Sequence, residues 1–211
     1  MLKGIAWGRE LLYLQYMNYL AHAYLAFHNP QLTVGNMIAD FVKGNQWQQY
    51  EEGIQRGIQM HRAIDTFTDQ HPATLAAKEY FQPSCGRYSG VFIDIVYDHF
   101  LATDKTIFTD ASLADFAQQV YAILQSNYSS LPPAFQQMFG YMHTHDWLYN
   151  YRKIESMHKS FNGIVRRAKF LNVSADAPFA VLEDHYEELA AYYRTFFPEI
   201  ITYIKDQHLK L

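Results

Sequence analysis

The sequence predicts an all-α protein folded as a single domain of about eight to ten helices. Apolar residues recur at helical spacing through most of the chain, as at Ile54, Ile58, Ile64 and Phe67. No stretch alternates with the period of two that a half-buried strand would show. Breakers and helix-starting prolines fall between the periodic segments, at Asn29-Pro30, His71-Pro72, Leu131-Pro132 and Ala177-Pro178.

In chain order, residues 2–16 can form a short helix. Residues 18–27 carry an apolar helical pattern with His22 inside it. Thr33 is placed to cap a short helix over 34–40, and Gly44-Asn45 marks a loop. The longest pattern covers 48–70. Gly53 and Gly57 weaken its helix propensity but permit close approach of a neighbour. Pro72 opens a helix over 73–81, and Pro83-Ser84-Cys85-Gly86 reads as a turn. Residues 88–102 form a strongly apolar helix that holds Asp94, Asp98 and His99. After a loop over 103–109, Asp110 or Ser112 caps a helix over 113–125. Residues 134–145 read as helix, 147–151 as irregular and 154–170 as a basic helix. A helix over 179–197 follows, and Pro198 starts a last one over 199–211.

Composition narrows the function classes. The 211 residues suit one domain, or one domain with an appended segment. Aromatics reach 17%, so the core should be rich in Tyr and Phe. A net charge of −4 disfavours wholesale nucleic-acid binding, which calls for a basic surface. The single cysteine, Cys85, excludes an intrachain disulfide and a cysteine-based zinc site, and it suits a reducing cytoplasm. The absence of an apolar run of about 18 residues predicts no membrane span. Arg9 and Glu10 interrupt the start of the chain, so a signal peptide is not expected.

One stretch carries more polar chemistry than its surroundings explain. His61, Asp65 and Asp69 are spaced i, i+4 and i+8, so they share one helical face. Such a line is either a solvated polar stripe or part of a site for a hard or borderline divalent cation. Other out-of-place residues lie on separate elements: His22, Asp40, Asp94, Asp98 and His99. A carboxylate buried in an apolar helix needs a partner or a metal. The simpler readings are a hydrogen-bonded core His22, a helix-end Asp40, and an Asp65 paired with Arg62. A di-iron bundle is disfavoured, because it calls for two Glu-x-x-His pairs and one occurs, at Glu155 and His158. His-Glu-x-x-His, the P-loop and Gly-x-Ser-x-Gly are absent.

A local charge excess stands out in this acidic chain. Arg152, Lys153, Lys159, Arg166, Arg167 and Lys169 fall close together, with Glu155 as the one acid among them. A solvated helix face is one reading. The other is a docking surface for an acidic protein or a phosphate-bearing ligand.

Four segments, in order, resemble the acyl carrier protein phosphodiesterase family, also called acyl carrier protein hydrolase. They are Met17-Asn-Tyr-Leu-Ala-His22, Gly35-Asn-Met-Ile-Ala-Asp40-Phe-Val-Lys-Gly44, Met60-His61-Arg-Ala-Ile-Asp65-Thr-Phe-Thr-Asp69 and Tyr97-Asp98-His99-Phe-Leu. The resemblance begins at Met17, which makes residues 1–16 an extension to a domain over 17–211. It implies an HD-domain-like, all-helical hydrolase in the cytoplasm that depends on a divalent metal, manganese by preference. The implied reaction splits the phosphodiester between 4′-phosphopantetheine and a serine of holo-acyl carrier protein. The usual His-Asp pair of HD proteins is reversed here, as Asp98-His99.

On that reading Mn²⁺ or Mg²⁺ is held by His22, Asp40, His61 and Asp98. Asp65 or Asp69 orients a ligating imidazole or acts as a base, and Asp40 also belongs to the catalytic group. Arg62 contacts non-bridging phosphate oxygens, and His99 is the acid for the leaving serine oxygen. The six basic residues of 152–169 dock the carrier protein. Two alternatives remain: an HD-type phosphohydrolase for a nucleotide or other small phosphodiester, and a non-catalytic helical protein that binds the carrier or a lipid-like chain.

Overall fold

The computed structural model describes residues 18–208. The helix expected over 2–16, and the extension over 1–16, lie outside them. Eleven α-helices follow one another among the described residues: α1 Tyr19–Tyr24, α2 Pro30–Ile38, α3 Glu52–Gln70, α4 Pro72–Cys85, α5 Ser89–Thr103, α6 Asp110–Ser126, α7 Pro133–Thr144, α8 Trp147–Asn150, α9 Ile154–Arg167, α10 Asp176–Asp184 and α11 Tyr186–His208. Among the described residues no strand occurs. None of the helices described is long and apolar enough to cross a membrane.

Helix starts follow capping chemistry, with two corrections, one at α6, where Thr109 rather than Asp110 or Ser112 is the cap and its hydroxyl accepts from Ser112 N–H. α2 begins at Pro30 because the Asn29 side chain accepts from the N–H groups of Gln31 and Leu32. Thr33, expected as the cap, lies inside the helix and donates its hydroxyl to the Asn29 carbonyl at 2.9 Å. α1 is held differently. Its N-cap residue, Asn18, makes no side-chain cap bond. Instead Asp98 of α5 accepts from Leu20 N–H at 2.9 Å and Ala21 N–H at 2.8 Å. A helix of six residues is too short to persist alone in water. An acid against its positive end supplies both charge complementarity and partners for two orphan donors.

Helix ends depart from the expectation at both internal prolines. α4 runs through Pro83 and stops at Gly86, whose φ of +52° suits glycine. α11 runs through Pro198, where a new helix was expected. Pro198 and Arg194 both face solvent, so water can take the Arg194 carbonyl that the proline leaves without a donor. Phe196, Phe197, Ile200 and Ile204 are buried on either side and pin the helix across the proline. The real break precedes α11, at His185. Gly44-Asn45, read as a loop, opens a 3₁₀ helix over Gly44–Gln49; the pattern read over 48–70 is broken at Tyr50 and Glu51, so α3 starts at Glu52; and the segment over 147–151, read as irregular, holds α8.

The core is aromatic, as composition predicts. Phe92 packs on Phe161 with ring centroids 5.0 Å apart, and Tyr97 stacks on Phe196 at 5.1 Å. The closest helix contact is between α2 and α3. A Cβ on Gly35 would come within 2.8 Å of Gly57 Cα, and one on Gly57 within 2.5 Å of the Leu32 carbonyl oxygen. The two backbones therefore touch at a pair of glycines.

Gly57→Ala is expected to destabilise the fold. Alanine gains up to about 1 kcal/mol of helix propensity. The overlap with backbone atoms, which cannot swing aside, outweighs this and should leave a net loss of about 1–3 kcal/mol. Urea unfolding reads the change directly; an unaltered midpoint would show that the helices can part without cost.

Candidate metal centre

The glycine contact places two neighbouring residues over α3. One turn beyond Gly57, His61 lies under the backbone of Asn36 and donates from Nδ1 to its carbonyl at 2.8 Å. A carbonyl only accepts, so this nitrogen carries the proton and Nε2 is turned the other way. Asn36 also fixes His22. Its Nδ2 donates to the His22 carbonyl at 2.8 Å, which leaves Oδ1 to accept from His22 Nδ1 at 2.8 Å. Both imidazoles thus present Nε2 on the same side. The rings stack with centroids 3.9 Å apart and planes 15° from parallel.

Carboxylates meet these two nitrogens. Asp65 reaches His22 Nε2 with Oδ1 at 3.2 Å and His61 Nε2 with Oδ2 at 3.1 Å. Asp40, in the 3₁₀ turn Ala39–Phe41 after α2, reaches His61 Nε2 at 3.2 Å. The imidazoles are deep, with side chains 1% and 6% exposed, whereas Asp40 is 22% and Asp65 43% exposed. The cluster therefore opens toward solvent on its carboxylate side. Neither Nε2 finds a well-directed hydrogen bond despite its burial. One ligand atom each from His22, His61 and Asp65 lies within 4.8 Å of the others. Two orphaned imidazole nitrogens facing a shared carboxylate fit a divalent cation of borderline hardness.

Electrostatics tell the same story. Burial and the neighbouring His61 lower the pKa of His22. Burial works to lower His61 too, but Asp65 and Asp40 outweigh it and raise that pKa to about 10. Burial disfavours charge on Asp65, yet His61 and His22 hold its carboxyl well below the usual range.

Several expected site residues are elsewhere. Asp98 is not brought to the cluster. It is fully buried, both its oxygens accept from α1, and burial pushes its pKa up against those two bonds. His99 is corrected likewise. Its Nδ1 donates to the Tyr151 carbonyl at 2.7 Å and its Nε2 meets the Tyr186 hydroxyl at 2.9 Å. Both ring nitrogens are engaged, and burial lowers its pKa, so it acts as a neutral strut. Asp98 and His99 thus both meet partners outside the cluster. Asp69 accepts from Lys78 Nζ at 2.7 Å on the exposed side of α3. Arg62 lies exposed, a step around the helix from His61. Of the docking set, Arg152 contacts Asp110 at 3.8 Å and stacks on Tyr149, while Lys153, Lys159, Arg166 and Lys169 are exposed.

With the geometry in view, comparison with known proteins places the chain. The profile of the acyl carrier protein phosphodiesterase family matches residues 17–200. The chain belongs to the acyl carrier protein phosphodiesterase family. It is 34% identical to the acyl carrier protein phosphodiesterase of Serratia proteamaculans over 194 residues, 92% of this chain and 100% of that one. It is 31% identical to the Enterobacter protein of that name over the same shares, and 32% identical to the Yersinia pestis one over 88% of this chain and 96% of that one. No solved structure matches.

Two residues of this family member escaped the sequence reading as site components. Asn36 has no exposed surface, yet it lies among apolar residues on α2. That misfit was its only signal. Asp94 was noted without a role. It is partly buried, and burial together with the charges of Asp65 and Asp69 raises its pKa to about 8. It is therefore a carboxyl near the cluster on which burial and its acidic neighbours disfavour charge.

Asn36→Ala is expected to weaken divalent-cation binding roughly 10–100-fold, the usual loss when a group that orients a ligating histidine is removed. Equilibrium dialysis against Mn²⁺ measures it. Affinity equal to that of the unmodified protein would mean that packing alone orients His22.

Proposed function

We propose that this chain hydrolyses the phosphodiester joining 4′-phosphopantetheine to a serine of holo-acyl carrier protein, with Mn²⁺ or Mg²⁺ held by His22, His61 and Asp65. The observation that carries this is the His22–His61–Asp65 cluster, which lies inside the span matched by the family profile. A divalent cation there supplies Lewis-acid chemistry, offsetting charge on phosphoryl oxygens and making a water more acidic.

The chain's own residues have distinct tasks. Asn36 holds both imidazoles in the tautomer that offers Nε2. His61 would hold the cation through a neutral Nε2, because a ligating nitrogen must be unprotonated. Asp65 bridges the two imidazoles. Asp40, at the open side of the cluster, is placed to accept a proton from an attacking water. Arg62, exposed beside His61, offers charge-assisted hydrogen bonds to phosphate oxygens. Asp69 is tied to Lys78 and helps at most by holding α3 against α4. We assign the enzyme to the cytoplasm, in keeping with a single, buried Cys85.

Docking of the acidic carrier is assigned to the exposed cations around α9, Lys153, Arg166 and Lys169. Charge complementarity supports this, since rim charges steer encounter more than they add affinity.

Mass spectrometry of holo-carrier after incubation with the protein and Mn²⁺ is expected to show loss of the phosphopantetheine group, and a chelator should prevent it. Asp40→Ala should lower turnover by roughly 10² or more while the helical circular dichroism is retained. Cleavage of free nucleotides with an intact carrier would overturn the assignment. Arg166→Glu should raise KM for holo-carrier several-fold, about 1 kcal/mol for a rim charge, and flatten its salt dependence. A KM indifferent to both changes would move docking to another face.

A further inference from the structure

The turn after α9 leaves a large aromatic side chain in solvent. The Leu171 N–H donates to the Ala168 carbonyl at 3.1 Å, which closes a tight turn with Lys169 and Phe170 at its tip. Ala168 and Ala175 are buried on either side and fix the segment. Phe170 is 67% exposed. A single exposed aromatic is ordinary on a folded protein, but this one has cations against it. Arg87 lies over its ring with Cζ 4.5 Å from the centroid, and Lys169 Nζ is 5.4 Å from it. Arg87 comes from another part of the chain, the turn after α4 where Gly86 bends the backbone.

These two turns bound a groove of about 650 Å³. Residues 84–88 line one wall and residues 170–173 the other. Tyr88, Phe170, Leu171 and Val173 give it apolar surface, and no carboxylate is among the described residues that line it. Arg87 meets the Tyr88 hydroxyl at 3.4 Å and the rings of Tyr88 and Phe170, and Lys169 meets the Phe170 ring. Among the described residues neither cation pairs with an acid. Both are exposed, and Arg166, exposed in the last turn of α9, adds a third positive charge.

We propose that this groove seats an amphipathic helix of the acidic carrier protein, with Phe170 as the apolar anchor and Arg87, Arg166 and Lys169 meeting the acids beside it. The inference rests on the carrier reading given above and deepens it, adding an anchor and a second chain segment to the basic stretch around α9. Charge complementarity selects the occupant. An amphipathic helix of an acidic protein carries acids on both sides of its apolar stripe, which matches an apolar strip flanked by cations and free of acids. The cations steer encounter, whereas the aromatic anchor holds the partner once water is excluded. Arg87 already lies flat on Phe170, so its side chain has less freedom to lose on docking. A recess between two turns also fits a rod better than it fits a flat lipid surface.

The test titrates the full chain into dye-labelled apo-carrier, which lacks the scissile bond, so docking is read without turnover. Fluorescence anisotropy is expected to show saturable binding. Phe170→Ala and Arg87→Glu should each weaken it about tenfold, equivalent to ~1.4 kcal/mol, and Arg87→Glu should also flatten its salt dependence. Both side chains are exposed, so neither change opens the core. Leu75→Ala, which trims another exposed apolar side chain near the far end of α4, should leave binding unchanged. With holo-carrier, the two groove variants should raise KM and spare kcat. Unaltered affinity for apo-carrier in both groove variants overturns this inference and leaves the hydrolysis reading standing. Absence of carrier binding by the unmodified protein, with apo- and holo-carrier alike, overturns both. Binding to anionic phospholipid vesicles that is lost in Phe170→Ala, with carrier affinity unchanged, would make the groove a lipid contact instead.

Discussion

The contact between Gly35 and Gly57 is the constraint on which the candidate site depends. Any side chain at either position would hold α2 and α3 apart, because the nearest atoms are backbone. With the helices touching, the residue after Gly35 lies over the helix turn after Gly57. Asn36 then spans both imidazoles with its carbonyl and its side chain. Asp40 follows on the 3₁₀ turn that α2 leads into, and Asp65 follows His61 by one helical turn. Four of the polar groups at the cluster are therefore placed from one backbone crossing. Two helices in direct contact leave little freedom at that distance, which is what a group of ligands needs.

Electrostatic strain is concentrated at the same place. Two stacked imidazoles cannot both carry charge cheaply in a buried setting. The fold resolves this by unequal treatment: His22 is held neutral by burial and by its neighbour, and His61 is charged by two carboxylates. Removing water from such a group is unfavourable unless something positive occupies its centre. Such unequal charging is what a site built for chemistry rather than for packing shows.

Much of this was legible in the sequence, for definite reasons. The helical repeat, the helix start at Pro72 and the suspicion that Gly57 admits a neighbour all rest on local rules that tertiary structure did not override. His61 and Asp65 were legible because a four-residue step needs no long-range knowledge. His22 and Asp40 stood out as polar residues in apolar settings. That signal does not separate ligands from struts. Asp98 and His99 gave it equally, but the partners that satisfy them are backbone groups of Leu20, Ala21 and Tyr151 and one distant hydroxyl, and backbone partners leave no mark in a sequence. Asn36 was missed for the opposite reason, since an uncharged amide attracts less suspicion than an acid. Pro198 misled because the rule against internal prolines assumes that the lost carbonyl partner matters, and on a wet helix face it does not.

The bond from Asp98 to the start of α1 also orders events in time. A ribosome releases the His22 turn early, but the acid that holds its first residues is 78 positions further along. Until that length has emerged, a six-residue helix has nothing to stand against. Local helices such as α3 can form as they are made, whereas this one waits for a long loop to close. The imidazole deepest in the site is therefore among the last parts of the site to be fixed during synthesis, and a chain truncated before α5 would carry the ligand residues without the means to assemble them.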